Sequence, residues 1–290
     1  MSRVARLAPF VFCAIALLPV ARAASQFDEL APRYGKLEVD QQSEYSRIRV
    51  RTKGNIRTLF FMRDSGEEVI ESTVDLRQPS RLLLDYTKYM FLSYAFQPQQ
   101  EKVLIVGLGG GAMVHFMKKY DPAVKVDVVE IDPAVVAIAD KHFDVRTEGN
   151  VNVITADGIQ YLAETKERYD VVYMDAFLKP SGATDVNGVP LRLKTADFYR
   201  LIQEKLKPGG VVVYNLNPHA KTADDVREIS GAFGQTYVFK LTDSRGMVAV
   251  ATLEKDRLAP AEIVKAGKQL DGRFKATISF AKMAARLLRY

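Results

Sequence analysis

The chain has 290 residues, of which 48% are hydrophobic and 26% are charged. This composition is typical of a globular protein and excludes a disordered chain. The formal net charge is +6 and falls to +3 without Arg3, Arg6 and Arg22, and the other basic residues are spread out. The charge pattern therefore argues against a nucleic-acid partner.

Residues 1–23 have the three-part layout of a secretory signal peptide. Basic residues precede an apolar stretch at 7–20, and small residues surround a cleavage site at Ala21-Arg22-Ala23. The stretch is too short for a stable membrane span, so we expect a periplasmic or secreted chain that begins near Ala24. An uncleaved segment would instead anchor the protein to a membrane. The single cysteine, Cys13, lies within this segment, so the mature chain would contain no disulfide and no thiol ligand.

Residues 25–97 are predicted to form a small antiparallel β-domain with a linking helix. Apolar and aromatic side chains at helical spacing predict the helix over 81–96. Tyr86 and Tyr89 in this helix fit a core position, or alternatively a pocket that holds a cationic amine against ring faces. The strands are predicted from alternation and turn signals at 45–50, 58–62 and 68–74.

Residues 98–255 are predicted to form an α/β domain with a doubly wound, mostly parallel Rossmann-like sheet. The apolar run at 103–106 is typical of a buried strand, and Gly107, Gly109 and Gly110 follow where it turns into a helix. Glycines there permit the close approach of a ligand, although such turns also occur for packing alone. Further strands are predicted at 126–130, 151–155, 171–174 and 211–215, with a closing hairpin at 237–241 and 247–251.

Three successive strands end in carboxylates, namely Glu130, Asp157 and Asp175. Because open α/β sheets bind ligands at the carboxyl ends of their strands, these acids are expected to converge above the glycine turn. An acid at the end of the second strand suits ribose hydroxyls. Each acid could alternatively cap a helix, an explanation that fits one residue better than all three.

The remaining segments carry fewer signals. A loop at 179–190, rich in glycine and proline, leaves the ligand edge and is expected to act as a lid. Residues 256–290 are predicted to be helical, without recognisable chemistry.

The histidines have no partners at metal-ligand spacing, so no metal site is predicted. His219, after the fifth strand, is a candidate for substrate contact.

The order of these motifs resembles the polyamine aminopropyltransferases, the spermidine synthase family, over about residues 43–252. The chain looks most like the divergent spermidine synthase-like branch, which has a Val-Pro-x-x-Leu-x-Thr element, here at 189–195. The other motifs lie at 103–111, 128–133, 156–158, 169–172, 175–177 and 206–210.

This resemblance implies a methyltransferase-type fold and a role in polyamine biosynthesis. It implies transfer of an aminopropyl group from decarboxylated S-adenosylmethionine to a small-molecule amine, with Asp175 as the catalytic general base and no metal. It also allows a homodimer. The implied donor contacts are Gly107, Gly109 and Gly110 at the methionine-derived tail, Glu130 at the ribose and Asp157 at the adenine amino group. Asp132 and Gly158 are further expected donor-binding residues.

Two departures from the family pattern concern the substrate. The family turn Gly-Gly-Gly-Asp-Gly-Gly contains an acid that this chain lacks, and Leu178 stands where Asp-Ser-Ser-Asp has its second Asp. Burying an ammonium without a partner costs several kcal/mol, so a diamine would need another acid, for which Asp185 is a candidate. A methyltransferase that uses S-adenosylmethionine, and an exported binding protein without catalysis, therefore stay open as alternatives.

Overall fold

The computed structural model describes residues 31–288. The predicted secretory segment at 1–23, with Cys13, lies outside this range. Within 31–288, no helix has both the length and the apolar character that crossing a membrane requires.

A four-stranded antiparallel sheet forms the first part of the described chain. It contains the three predicted strands and one that was not predicted, the mostly exposed Lys36–Gln42, whose few apolar residues give a weak sequence signal. A short helix, α1 (Ala31–Tyr34), precedes the sheet. Its strands, in spatial order, are β1 (Lys36–Gln42), β2 (Arg47–Lys53), β3 (Ile56–Met62) and β4 (Glu68–Asp75).

The predicted helix at 81–96 is in fact two short helices, α2 (Asp85–Met90) and α3 (Ser93–Phe96). The break occurs at Phe91, whose fully buried ring stacks on Phe116 at a centroid distance of 4.3 Å. This long-range aromatic contact has no counterpart in the local apolar pattern, which suggested a continuous helix.

A seven-stranded sheet forms the body of the protein, with strand order β10-β11-β9-β8-β5-β6-β7. Only β11 runs opposite to the other strands of the sheet, so the mostly parallel sheet is confirmed. Strand order reverses at β5, which makes the carboxyl ends of β5 and β8 the expected ligand crevice. The strands are β5 (Lys102–Val106), β6 (Lys125–Glu130), β7 (Val151–Thr155), β8 (Tyr169–Met174), β9 (Leu206–Leu216), β10 (Gln235–Lys240) and β11 (Met247–Thr252).

Helices cover both faces of this sheet and create two hydrophobic clusters. Alternate residues of a strand point to opposite faces, so Val103 and Ile105 pack in one cluster, whereas Leu104 and Val106 pack in the other. The helices are α4 (Ala112–Tyr120), α5 (Pro133–Phe143), α6 (Gly158–Glu164), α7 (Ala196–Lys205), α8 (Thr222–Ala232), α9 (Pro260–Phe274) and α10 (Phe280–Ala284). The last two lie in the segment that was predicted to be helical.

Candidate active site

A cleft lies at the carboxyl ends of β5, β6, β7 and β8. Strand β4 and helix α2 close it on one side, and the loop that follows β8 covers it on another. Its lining includes the three strand-end acids, Glu130, Asp157 and Asp175. The predicted convergence of these acids is thus confirmed, while their roles toward a ligand remain predictions.

The glycine turn between β5 and α4 forms the floor of the cleft. Gly107 and Gly109 line it, with positive φ angles of 100° and 52°. Gly110 lies outside the lining. It faces Phe143 instead, since a Cβ there would be 2.9 Å from the ring of Phe143. Helix α4 begins without a side-chain cap, so its first N–H groups are available to a ligand.

Glu130 holds the glycine turn in place. Its carboxylate accepts hydrogen bonds from the backbone N–H groups of Leu108 and Asp132, both at 2.9 Å. Burial raises the pKa of Glu130, and the backbone N–H groups act in the opposite direction. Because a carboxylate has about four lone-pair sites, Glu130 can still accept hydrogen bonds from hydroxyl groups in the cleft.

Asp157 links the floor of the cleft to the covering loop. One carboxylate oxygen caps α6 by accepting from the N–H of Ile159 at 2.8 Å, and the other forms an ion pair with Arg192. Gly158 also lines the cleft, next to Val106. Arg192 was not singled out in the sequence, because its partner lies on a different element.

Asp175 is held from both sides by neutral hydrogen-bond donors. Tyr86 Oη donates to its Oδ2 at 3.1 Å, and Asn215 Nδ2 donates to its Oδ1 at 2.9 Å. Burial raises the pKa of Asp175 to about 6, against the two hydrogen bonds, which lower it. Asp175 is therefore mostly ionised at neutral pH and able to accept a proton. Asn215 was overlooked, although it too is a polar residue near the carboxyl end of a strand.

Glu71 is an acid of the cleft that sequence reasoning missed. It comes from β4 of the small sheet and lies among the same lining residues as Asp175. Burial, followed by the negative charge of Asp175, raises the pKa of Glu71 to about 8. No sequence signal could have placed it there, because the two sheets meet only in the tertiary structure.

Besides Gly110, three of the predicted site residues lie outside the lining of the cleft. Tyr89 hydrogen-bonds through its hydroxyl to Thr242 at 2.7 Å and lines a separate cavity. Asp132 caps α5 by accepting from the N–H of Ala134 at 2.9 Å. Asp185 forms an ion pair with Lys194 at 2.7 Å in a second cavity behind the loop.

His219 belongs to that second cavity and is not isolated, contrary to the sequence expectation. Its Nε2 lies 2.7 Å from Oδ2 of Asp225 and 3.8 Å from Oδ2 of Asp185. These three side chains have the spacing of a cation site. However, the ammonium group of Lys194 already contacts both carboxylates, at 2.7 Å and 2.9 Å. The cluster therefore has its own internal countercharge.

Comparisons with known proteins point to one family. Residues 87–243 match the spermine/spermidine synthase domain family. Over 213 residues the chain is 30% identical to the polyamine aminopropyltransferase of Vibrio vulnificus, an alignment that covers 71% of this chain and 68% of that protein.

Solved structures share the fold. A spermidine synthase in complex with the transition state analogue AdoDATO superposes with a TM-score of 0.65 at 20% identity, covering 88% of this chain and 86% of that one. Human methyltransferase-like protein 13 in complex with SAH superposes with a TM-score of 0.61 at 22% identity, covering 68% of this chain and 95% of that one. The family match spans more than half of the chain, and the predicted resemblance is confirmed: the protein belongs to the spermine/spermidine synthase family.

Proposed function

We propose that the protein transfers the aminopropyl group of decarboxylated S-adenosylmethionine to a small amine. The observation that carries this proposal is Asp175, a buried carboxylate at the edge of the cleft with a pKa of about 6. Such a group is ionised at neutral pH and can accept a proton, as a general base must. Family membership assigns the protein to transferases that act in polyamine biosynthesis.

The chemistry requires a neutral amine. Its nitrogen attacks the tail carbon next to the sulfonium sulfur, so that a C–N bond forms as the C–S bond breaks and methylthioadenosine leaves. The proton lost by the nitrogen passes to Asp175. Tyr86 and Asn215 orient the carboxylate through their hydrogen bonds, which keeps its oxygens in place for this transfer.

The donor would occupy the cleft beside the glycine turn. Glu130 would accept hydrogen bonds from ribose hydroxyls, and Asp157 would accept one from the adenine amino group. Both assignments follow the family pattern, and both residues line the cleft. The tail would then pass Gly107 and Gly109 toward Asp175.

The acceptor would enter from the opposite side of Tyr86. A groove there, which we call the acceptor groove, is bounded in part by Glu71, Asp85, Tyr86, Asn215 and Asp243. Acidic side chains suit a cationic amine, because opposite charges raise the local concentration of a ligand. Lys88 lies 3.4 Å from Asp85 and 4.0 Å from Asp243, so Glu71 is the acid of the groove without a lysine partner. The groove reaches Asn215 and Tyr86, both of which hydrogen-bond Asp175. It offers acids other than Asp185 to replace the one absent at Leu178.

Calorimetry on the mature chain tests the proposal, with S-adenosylmethionine, its decarboxylated form and methylthioadenosine as ligands. Product analysis with putrescine follows. We expect preferential binding of the decarboxylated donor and formation of spermidine. Asp175→Asn should abolish turnover while leaving donor affinity nearly unchanged, whereas turnover that persists would remove Asp175 from its role. Binding of the carboxylated donor with methyl transfer would support a methyltransferase, and no binding of any ligand would support an exported binding protein.

A further inference from the structure

Two glutamates on β4 have contrasting surroundings. The Glu68 side chain is 1% exposed, and its carboxylate lies 2.9 Å from a guanidinium nitrogen of Arg49 and 3.0 Å from one of Arg51. Glu71 also faces the protein interior, yet its carboxylate has no hydrogen bond or ion pair with any residue in 31–288. Only the more distant charge of Arg63 favours its ionised form, and a buried acid without a close partner is costly. Glu68 therefore has a structural role, whereas Glu71 is placed to pair with a cationic group of a bound ligand.

Strand β4 packs directly against the glycine turn. A Cβ on Gly109 would lie 3.3 Å from Cβ of Ser72, and one on Gly110 would lie 3.0 Å from Oγ of Ser72. Glu71, the neighbour of Ser72, therefore lies close to the turn that the donor tail would follow. The ring of Phe143, 2.9 Å from a Cβ at position 110, and Ser72 leave no room for an acid in the turn, so the acid nearest to the turn comes from β4.

Glu71 also lies near the reacting end of the cleft. The hydroxyl of Tyr86 is 3.4 Å from the carbonyl oxygen of Glu71 and 3.1 Å from the carboxylate of Asp175. Glu71 lines both the cleft and the acceptor groove. It is thus placed at the junction where the donor tail would end.

We infer that Glu71 holds the primary ammonium at the end of the donor tail and selects the decarboxylated donor over S-adenosylmethionine. The inference rests on the proposed function. The two donors share this ammonium and differ only in a carboxylate on the same carbon. The carboxylates of Glu71, Asp175 and Glu130 would repel that group in a medium of low dielectric constant. The aminopropyl tail lacks that group, so the same carboxylates attract its ammonium.

The ionisation of Glu71 is coupled to this binding. The charged and titratable groups that face it are Asp175, Glu130, Arg63 and Tyr86. Burial and the charge of Asp175 raise the pKa of Glu71 to about 8, so the group is mostly protonated at pH 7. An arriving ammonium favours the ionised form, so the decarboxylated donor should release a proton on binding. Methylthioadenosine, which has no ammonium, should release none.

Calorimetry with the three ligands, in buffers of different ionisation enthalpy, tests this role. Glu71→Gln should weaken binding of the decarboxylated donor at least about tenfold, the typical effect of losing a charged hydrogen bond. The affinity for methylthioadenosine should stay within about twofold of the wild-type value. The ratio of the affinity for the decarboxylated donor to that for S-adenosylmethionine should decrease. The proton release should vanish. Glu254→Gln, which removes the same charge from an exposed site, is the matched control.

Other outcomes overturn the inference. Equal weakening of all three ligands by Glu71→Gln would assign Glu71 a structural role only. Unchanged donor affinity with a raised KM for the amine would assign it to the acceptor instead. These results are distinct from failure of the proposed function, which would appear in the wild-type protein as methyl transfer or as no binding at all. Thermal melts of both variants verify that they are folded.

Discussion

Gly107 and Asp175 are in such close backbone contact that no side chain fits between them. A Cβ on Gly107 would lie 2.1 Å from the carbonyl oxygen of Asp175, and the φ angle of Gly107 is +100°. The N–H of Asp175 donates to the carbonyl of Val106 at 2.9 Å. The position of the proposed general base thus depends on the absence of a side chain in the glycine turn.

Gly107→Ala should therefore damage both folding and turnover. The strained φ and the overlap together predict a loss of about 2–4 kcal/mol in the free energy of unfolding. Urea unfolding and an aminopropyl-transfer assay measure the two effects. Gly182→Ala is the control, because no atom lies within 4 Å of a Cβ there. A Gly107→Ala protein with wild-type stability and turnover would show that the contact is not required.

Turnover should decrease as the pH falls below about 6. Asp175 must be ionised to accept a proton, and its pKa is raised to about 6 by burial. Tyr86→Phe removes a hydrogen bond that lowers this pKa, so the acid limb of the pH profile should move upward by about 0.5–1 pH unit. The measurement is kcat as a function of pH for both proteins. A limb that moves downward, or does not move, would contradict the assignment.

Glu71→Gln should stabilise the protein at alkaline pH. The pKa of Glu71 is raised from 4.5 to about 8, so the folded state binds the proton more tightly than the unfolded state does. Stability from this group is present below pH 4.5 and is lost as the pH rises to about 8. The variant avoids that loss and should gain about 2–4 kcal/mol at pH 9 relative to pH 4.5. Denaturant unfolding at the two pH values checks this difference, and an equal effect at both would refute it.

Arg192→Ala should leave stability nearly unchanged and expose Asp157. The ion pair between them is half exposed on the arginine side, and such pairs contribute about 1 kcal/mol or less. If Asp157 binds the adenine amino group, removing its ion pair with Arg192 should preserve or raise the affinity of the protein for methylthioadenosine. Arg200→Ala, in an exposed ion pair on α7, is the control. A tenfold loss of affinity in Arg192→Ala alone would instead make Arg192 a donor contact.

We also propose that the protein is exported and cleaved before Ala24. Expression of the full chain in a Gram-negative host, followed by fractionation and N-terminal sequencing, tests this. The expected product is periplasmic and begins at Ala24. A cytoplasmic product that retains residues 1–23 would refute the proposal, and a membrane-bound one would indicate an uncleaved anchor.

Local sequence patterns were enough to predict the body of the fold and much of the cleft. Short apolar runs bounded by turn residues predicted the strands, and β7 has the bounds that were expected, Val151–Thr155. Because parallel strands end at a common edge, acids at the ends of these strands had to meet. The order of strands and acids along the chain is therefore enough to predict that Glu130, Asp157 and Asp175 meet.

The side chains that surround Asp175 could not be predicted from local patterns. Glu71 and Tyr86 come from elements outside the large sheet, and Asn215 comes from a strand that is distant along the chain. The same holds for Asp185, whose partner is Lys194 and not a substrate. Local periodicity specifies helices and strands, whereas contacts between distant elements depend on how their surfaces pack. For that physical reason the sequence could locate the cleft but could not predict the surroundings of its acids.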